Sequence, residues 1–215
     1  MDPQARDIES YLEFAHAKGM EIKYVVDTHI QADHISGGRE LAELAGARYC
    51  LHESADVERD FTPLTDEQEL DLGNVSVKVL HTPGHTSESI CLLVTDKTRG
   101  PEPWFLLTGD TLLVGAIGRP DLPGRMEESA AELYDSLQRK ILSLPETLEF
   151  YPAHFAGSLC GAGMSGKPMS TLAFEKRWNP VLNLGRAEFV EKLMNDALAK
   201  PAEMESILRA NQGRA

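Results

Sequence analysis

The sequence predicts a layered α/β protein. Short apolar runs rich in Val, Ile and Leu alternate along the chain with stretches whose apolar residues recur at helical spacing. The segment from Tyr24 to Leu51 reads as strand, helix, strand, the unit that yields a parallel pair. Residues of metal-ligand type follow or end one apolar run after another, the pattern of a site built at the mouth of a sheet.

Taken in order, Asp7 to Ala17 carries Ile8, Leu12 and Ala15 with Tyr11 alongside, an amphipathic helix stopped by Gly19. A strand at 24–27 leads into Thr28-His-Ile-Gln-Ala-Asp-His34. Gly37-Gly38 opens a second helix running to about Leu44 and closed by Gly46, and Arg48–Leu51 is a strand. The acidic stretch 61–71 reads as loop. Val75, Val77 and Val79 alternate with polar residues, so 75–80 is a half-buried strand. Ile90–Val94 and Trp104–Leu107 are continuous apolar runs typical of interior strands. Residues 118–124 are loop. Glu128 to about Leu142 is helical through Leu133, Leu137 and Ile141, and a strand at 148–152 delivers His154. A glycine-rich loop at 157–166 precedes a short helix, 170–178, ended by Asn179-Pro180. A last helix runs from about Glu188 to Leu198. No internal repeat or linker interrupts the chain, so 1–215 is expected to be a single domain.

The totals exclude several classes. A chain of 215 residues suits one domain with a sizeable core. The formal charge of −13 and the lack of Lys/Arg clusters argue against nucleic acid as a partner. No stretch approaches the roughly 20 apolar residues of a membrane span, and no signal pattern opens the chain. Cys50, Cys91 and Cys160 are odd in number and widely spaced, which suits a reducing, cytoplasmic compartment.

Four motifs carry chemistry: Thr28–His34, His81-Thr-Pro-Gly-His85, Thr108-Gly-Asp110 and Tyr151-Pro-Ala-His154. Two histidines five apart are common by chance. Four motifs that each abut a predicted strand end point to a metal centre. His81 reads as loop structure, and His16 and His52 as ordinary surface or packing residues.

In these motifs the chain resembles the metallo-β-lactamase fold superfamily, whose signature is His-x-His-x-Asp-His, then a later His, an Asp and a final His. The resemblance covers roughly 24–200. It is most similar to the persulfide (sulfur) dioxygenases and more distantly to the glyoxalase II hydrolases. The closer match rests on Asp27-Thr-His-Ile-Gln-Ala-Asp-His-Ile-Ser-Gly-Gly38, His81–Thr86, Leu107-Thr-Gly-Asp-Thr-Leu112, Gly118-Arg-Pro-Asp121 and Tyr151–Gly161. The Ser170-Thr171 to Asn179-Pro180 segment adds to it. The fold implied is an αββα sandwich, two sheets with helices outside, its usual first strands shortened or missing. The absence of those strands would expose a sheet edge and favour a homodimer or aggregation.

The resemblance implies one Fe(II) per chain held by His29, His85 and Asp110. That 2-His-1-carboxylate set leaves positions open for oxygen chemistry. Asp33, His34 and His154 become groups that orient ligands and water, or ligands of a second metal in a hydrolase. Gln31 departs from the pattern. Dinuclear hydrolases of this fold need histidine there, and Gln is a poor ligand for zinc. The dioxygenase pattern usually keeps His as well, but there Gln31 removes a neighbour rather than a ligand.

The expected reaction oxidises a small-thiol persulfide, such as glutathione persulfide, with O₂ to sulfite and free thiol, as in sulfide detoxification. Cys160 would line the substrate entrance or be a small buried residue. Lys167, Lys176 and Arg177 would meet a thiol carrier's carboxylates or form a solvated basic face. The competing expectations are a thioester hydrolase of glyoxalase II type with one or two zinc ions, and a catalytically silent domain that kept the fold. The acidic balance disfavours a nuclease.

Overall fold

The structure, a computed structural model, describes residues 1–120, 125–155, 163–196 and 202–214. The chain divides into two compact units, Met1–Leu64 with Lys200–Ala215, and Thr65–Ala199. The predicted substrate-side residue Cys160 lies outside the described residues, as do 157–162 of the glycine-rich loop.

In the first unit the β-branched pair Val25-Val26 forms the buried end of β1 (Tyr24–Val26). Helix α1 (Ile8–Ala17) turns Ile8 inward. Helix α2 (Gly38–Ala45) contributes Leu41 and Ala42, and these join Ile8 and Val25 in one small core. Gly46 closes α2 in the left-handed region at φ 64°. The chain then returns as β2 (Arg48–His52), parallel to β1 as the strand–helix–strand pattern predicts. β3 (Thr62–Leu64) adds in parallel to β2, giving the order β1-β2-β3. A C-terminal helix, Ala202–Asn211, belongs to this unit and buries Met204.

The second unit is built on a six-stranded sheet of β4 (Glu69–Leu72), β5 (Val75–His81), β6 (Ile90–Asp96), β7 (Phe105–Gly109), β10 (Glu149–Pro152) and β11 (Ser170–Thr171), with a two-stranded ribbon, β8 (Leu112–Leu113) and β9 (Ala116–Ile117), between. The sheet order is β11-β10-β7-β6-β5-β4. β5 and β7 are both antiparallel to β6, and β10 is parallel to β7. So β5, β7 and β10 run the same way and end at one edge of the sheet. Helices α3 (Met126–Ser136), α4 (Leu172–Trp178) and α5 (Arg186–Asn195) follow. Leu133, Leu137, Phe150, Leu172 and Phe189 are among the side chains of a single core here. Each such side chain withdrawn from water stabilises the unit by about 1.5–3 kcal/mol before entropy is counted.

Several element expectations change. The acidic stretch 61–71 is not loop throughout: it supplies β3 and β4. Pairing with a neighbouring strand overrides composition there, since Leu64 and Leu70 are buried while Glu69 and Asp71 face out. The helix predicted over 128–142 begins at Met126 and passes after Ser136 into a π-helical turn, Leu137–Ile141. Leu137 and Ile141, at its two ends, are both buried. The short helix predicted from 170 starts at Leu172, because Ser170-Thr171 pairs with β10 and Thr171 accepts the Phe174 amide as a cap. The helix predicted from about Glu188 to Leu198 is present as Arg186–Asn195, residues 197–198 lying outside the described residues, and the sequence pattern does not reveal the C-terminal helix. Among the described residues no helix is long and apolar enough to cross a membrane.

Candidate metal centre

The second unit gathers three of the predicted residues at the edge where β5, β7 and β10 end. The turn after β5 is drawn tight by Thr82 N–H donating to Ser89 O (2.8 Å) and Thr86 N–H donating to Ser89 Oγ (3.1 Å). This presents His85. Asp110 follows β7 directly. The β10 register shifts between Tyr151 and Pro152, and Ala153 N–H donates to Gly109 O (2.9 Å), which aims His154 back at the β7 end.

These three side chains meet. His154 Nδ1 lies 2.7 Å from Asp110 Oδ1, and His85 Nε2 lies 3.7 Å from Asp110 Oδ2. His85 Nδ1 is 2.7 Å from the Arg119 carbonyl. A carbonyl only accepts, so Nδ1 is the donor in this contact and Nε2 is the nitrogen turned to Asp110. His154 Nδ1 likewise turns to an acceptor, the Asp110 carboxylate. His85 and Asp110 are 3% and 2% exposed. Two lone-pair donors buried this deeply and pointed together suit a cation, because burial of an unbalanced carboxylate is otherwise expensive. Gly118 closes the arrangement: a Cβ there would stand 1.8 Å from Asp110 O and 3.2 Å from the His85 ring.

In the first unit the metal-type loop leaves the C-terminal end of β1. His29 is 2% exposed, with Nδ1 3.0 Å from Thr28 Oγ1. Thr28 Oγ1 donates in turn to Asp2 Oδ2 (3.0 Å), and Thr28 N–H donates to Asp2 Oδ1 (2.7 Å). Carboxylate, hydroxyl and imidazole therefore form a chain that holds the His29 ring through Nδ1, which also lies 3.5 Å from Gln31 Nε2, and leaves the ring Nε2 as the nitrogen available to a ligand site. Gln31 is fully buried, and its Nε2 donates to Asp2 Oδ1 at 3.0 Å. Its Oε1 has no hydrogen-bond partner among the described residues. Asp33 and His34 pair with each other, Oδ1 to Nδ1 3.0 Å. Behind the loop, Asp27 accepts from Ser36 Oγ (2.5 Å) and Tyr49 Oη (2.9 Å). Burial pushes the Asp2 carboxyl up to about 7, and the charge on Asp27 adds to the rise. Burial also raises Asp27.

Asp2, Thr28 as a relay, the Arg119 carbonyl and Asn211 are the supporting groups that sequence reasoning did not single out. Asp2 and Asn211 lie 26 and more residues from their loop partners, so no local spacing marks them. His81, read from the sequence as loop structure, places Nε2 2.9 Å from Ser87 O within its own turn. On the substrate side, Lys167 is exposed, Lys176 Nζ donates to Glu146 Oε1 (3.1 Å), and the Arg177 guanidinium stands 5.0 Å from the Trp178 ring centroid.

A family model described as the metallo-beta-lactamase superfamily matches residues 1–154, and the chain belongs to that superfamily. Particular relatives narrow the class. Human mitochondrial persulfide dioxygenase ETHE1 is 30% identical over 194 residues, covering 90% of this chain and 69% of that protein. The crystal structure of ETHE1 from Myxococcus xanthus matches with a TM-score of 0.83 at 30% identity, covering 98% of this chain and 85% of that one. A metallo-beta-lactamase structure from Staphylococcus aureus gives 0.91 at 35% identity over 98% of this chain, which spans 64% of that chain's length. The probable hydroxyacylglutathione hydrolase of Schizosaccharomyces pombe is 28% identical over 217 residues, 91% of this chain and 80% of that protein. The fold is thus the metallo-β-lactamase fold, and the chain stands among the superfamily's enzymes.

Proposed function

We propose that the chain is an iron-dependent persulfide dioxygenase, with His29 joining His85 and Asp110 as the ligands of one Fe(II). The observation that carries this reading is the side chain at position 31. Its amide donates to the Asp2 carboxylate, so the histidine that completes a three-histidine hydrolase site is replaced by a group engaged elsewhere. Two histidines and one carboxylate remain, the set that suits non-haem iron. The likeness to ETHE1 proteins supports the same choice.

The overall reaction is RSSH + O₂ + H₂O → RSH + SO₃²⁻ + 2 H⁺. The S–S bond breaks, the terminal sulfur loses four electrons in net balance, and O₂ takes them up. Bound iron supplies the spin-allowed electron transfer to O₂ that side chains lack. The chain's own residues set the geometry. Arg119 O fixes the His85 ring, the Asp2–Thr28 pair fixes His29, and His154 restrains the Asp110 carboxylate. The burial of His85 and Asp110 keeps bulk water from the ligand atoms. Lys167, Lys176 and Arg177 are the proposed contacts to a carrier's carboxylates. A reducing cytoplasm is the proposed compartment, where Cys50 and Cys91 stay free thiols.

A second reading, a zinc-dependent thioester hydrolase, draws on Asp33, His34 and His154, the donor types of a second metal, and on the S. pombe relative. Metal analysis with O₂ uptake decides between them. About one iron per chain and persulfide-dependent O₂ consumption are expected. Bound zinc with thioester cleavage and no O₂ uptake would replace the first reading by the second.

A further inference from the structure

We propose that Asn211, the last residue of the C-terminal helix, is a positioning residue for the metal-bearing loop. Its carboxamide turns both donors and one acceptor lone pair to that loop. Nδ2 donates to Gln31 O (2.8 Å) and to His34 O (2.9 Å), while Oδ1 accepts from Ser36 N–H (3.0 Å). The three contacts bracket Asp33 and His34. Outside the bridge of Ser36 to Gln4 this loop belongs to no strand or helix, so these groups would otherwise need water or strain to satisfy them.

The clamp is separate from what holds the helix end in place. Glu58 N–H donates to Gln212 O (2.8 Å), and Arg214 pairs with Asp56 (2.5 Å) and Glu58 (3.4 Å). Gly213, at φ 78°, lies so close to Arg59 that a Cβ would stand 2.7 Å from its side chain. Met204 anchors the helix body. Removing the Asn211 carboxamide therefore loosens the loop while the helix stays docked. Geometry errors of this kind in supporting groups weaken metal binding roughly 10- to 100-fold.

The inference rests on the proposed reading only in taking the 29–34 loop as metal-bearing. The test compares wild type with Asn211→Ala, Asn211→Asp and the control Met204→Ala, all as full chains. Asn211→Asp keeps the size and the acceptor but loses both donors and sets a carboxylate against two carbonyls. Amide hydrogen exchange of 31–36 in chelator-treated protein is expected to quicken at least tenfold in both Asn211 variants, with 202–210 still protected. Ferrous iron and zinc, loaded separately, should each be released at least tenfold faster wherever wild type retains them. Met204→Ala should loosen 202–210 first. Unchanged exchange in Asn211→Asp, or loosening spread equally over 31–36 and 202–210, would overturn the proposal. Wild type that retains neither metal sinks the proposed function instead, and the exchange result still decides the role of Asn211.

Discussion

The His154 ring and the Asp110 carboxylate meet at 2.7 Å, Nδ1 to Oδ1, across the parallel strands β10 and β7. One oxygen of Asp110 is thereby held by an N–H, and the other faces His85. A carboxylate restrained in this way presents one fixed lone pair to a cation.

Replacing His154 by Ala should therefore weaken metal binding roughly 10- to 100-fold without abolishing it, the range for loss of an orienting partner. His85→Ala and Asp110→Ala should abolish iron retention outright. Titration against a competing chelator measures both. Equal losses in all three variants would make His154 a ligand.

Gln31→His returns an imidazole to the position and removes a donor from Asp2. The expected outcome is iron-dependent activity left intact, with zinc uptake raised when both metals are offered. Elemental analysis reads this directly. Loss of iron on this change alone would mean that Gln31 is itself a ligand, a role its Oε1, without a hydrogen-bond partner among the described residues, would then explain.

Gly118→Ala tests the close approach at the β7 end. The new methyl would collide with the Asp110 carbonyl at 1.8 Å and crowd the His85 ring. A backbone atom yields little, so the change should cost about 3 kcal/mol in denaturant unfolding, the upper part of the overpacking range. Metal affinity should fall with it. A neutral result would show that the 110–118 segment relaxes freely.

Burial pushes the Cys91 and Cys50 thiols up to about 11. Thiolate is the reactive form, so at pH 8 roughly one thiol in a thousand is ionised. Iodoacetamide should leave both residues unmodified in the native protein, the rate rising only as pH approaches that value. Peptide mapping by mass spectrometry checks it, and rapid labelling of Cys91 at pH 8 would contradict the structure.

Much of this was legible in the sequence because local rules governed it. Val25-Val26, the interior run Ile90–Val94 and the Gly46 stop each state their own element, and the β1–β2 parallel pair followed from them. His85, Asp110 and His154 were readable because each lies just past a strand end. What stayed hidden depends on distant partners. β4 looked like an acidic loop until β5 paired with it. Asp2 and Asn211 gain their meaning from segments 26 to 180 residues away. The Arg119 contribution comes from a backbone carbonyl, which no side-chain pattern reveals.

The common direction of β5, β7 and β10 has a consequence for how such a protein can vary. Successive residues of a strand face opposite sides, so deleting one residue from any of the three would turn its outgoing side chain away from the others. Connections at the far rim can lengthen or shorten freely, whereas the spacing of these three strands is fixed to the residue.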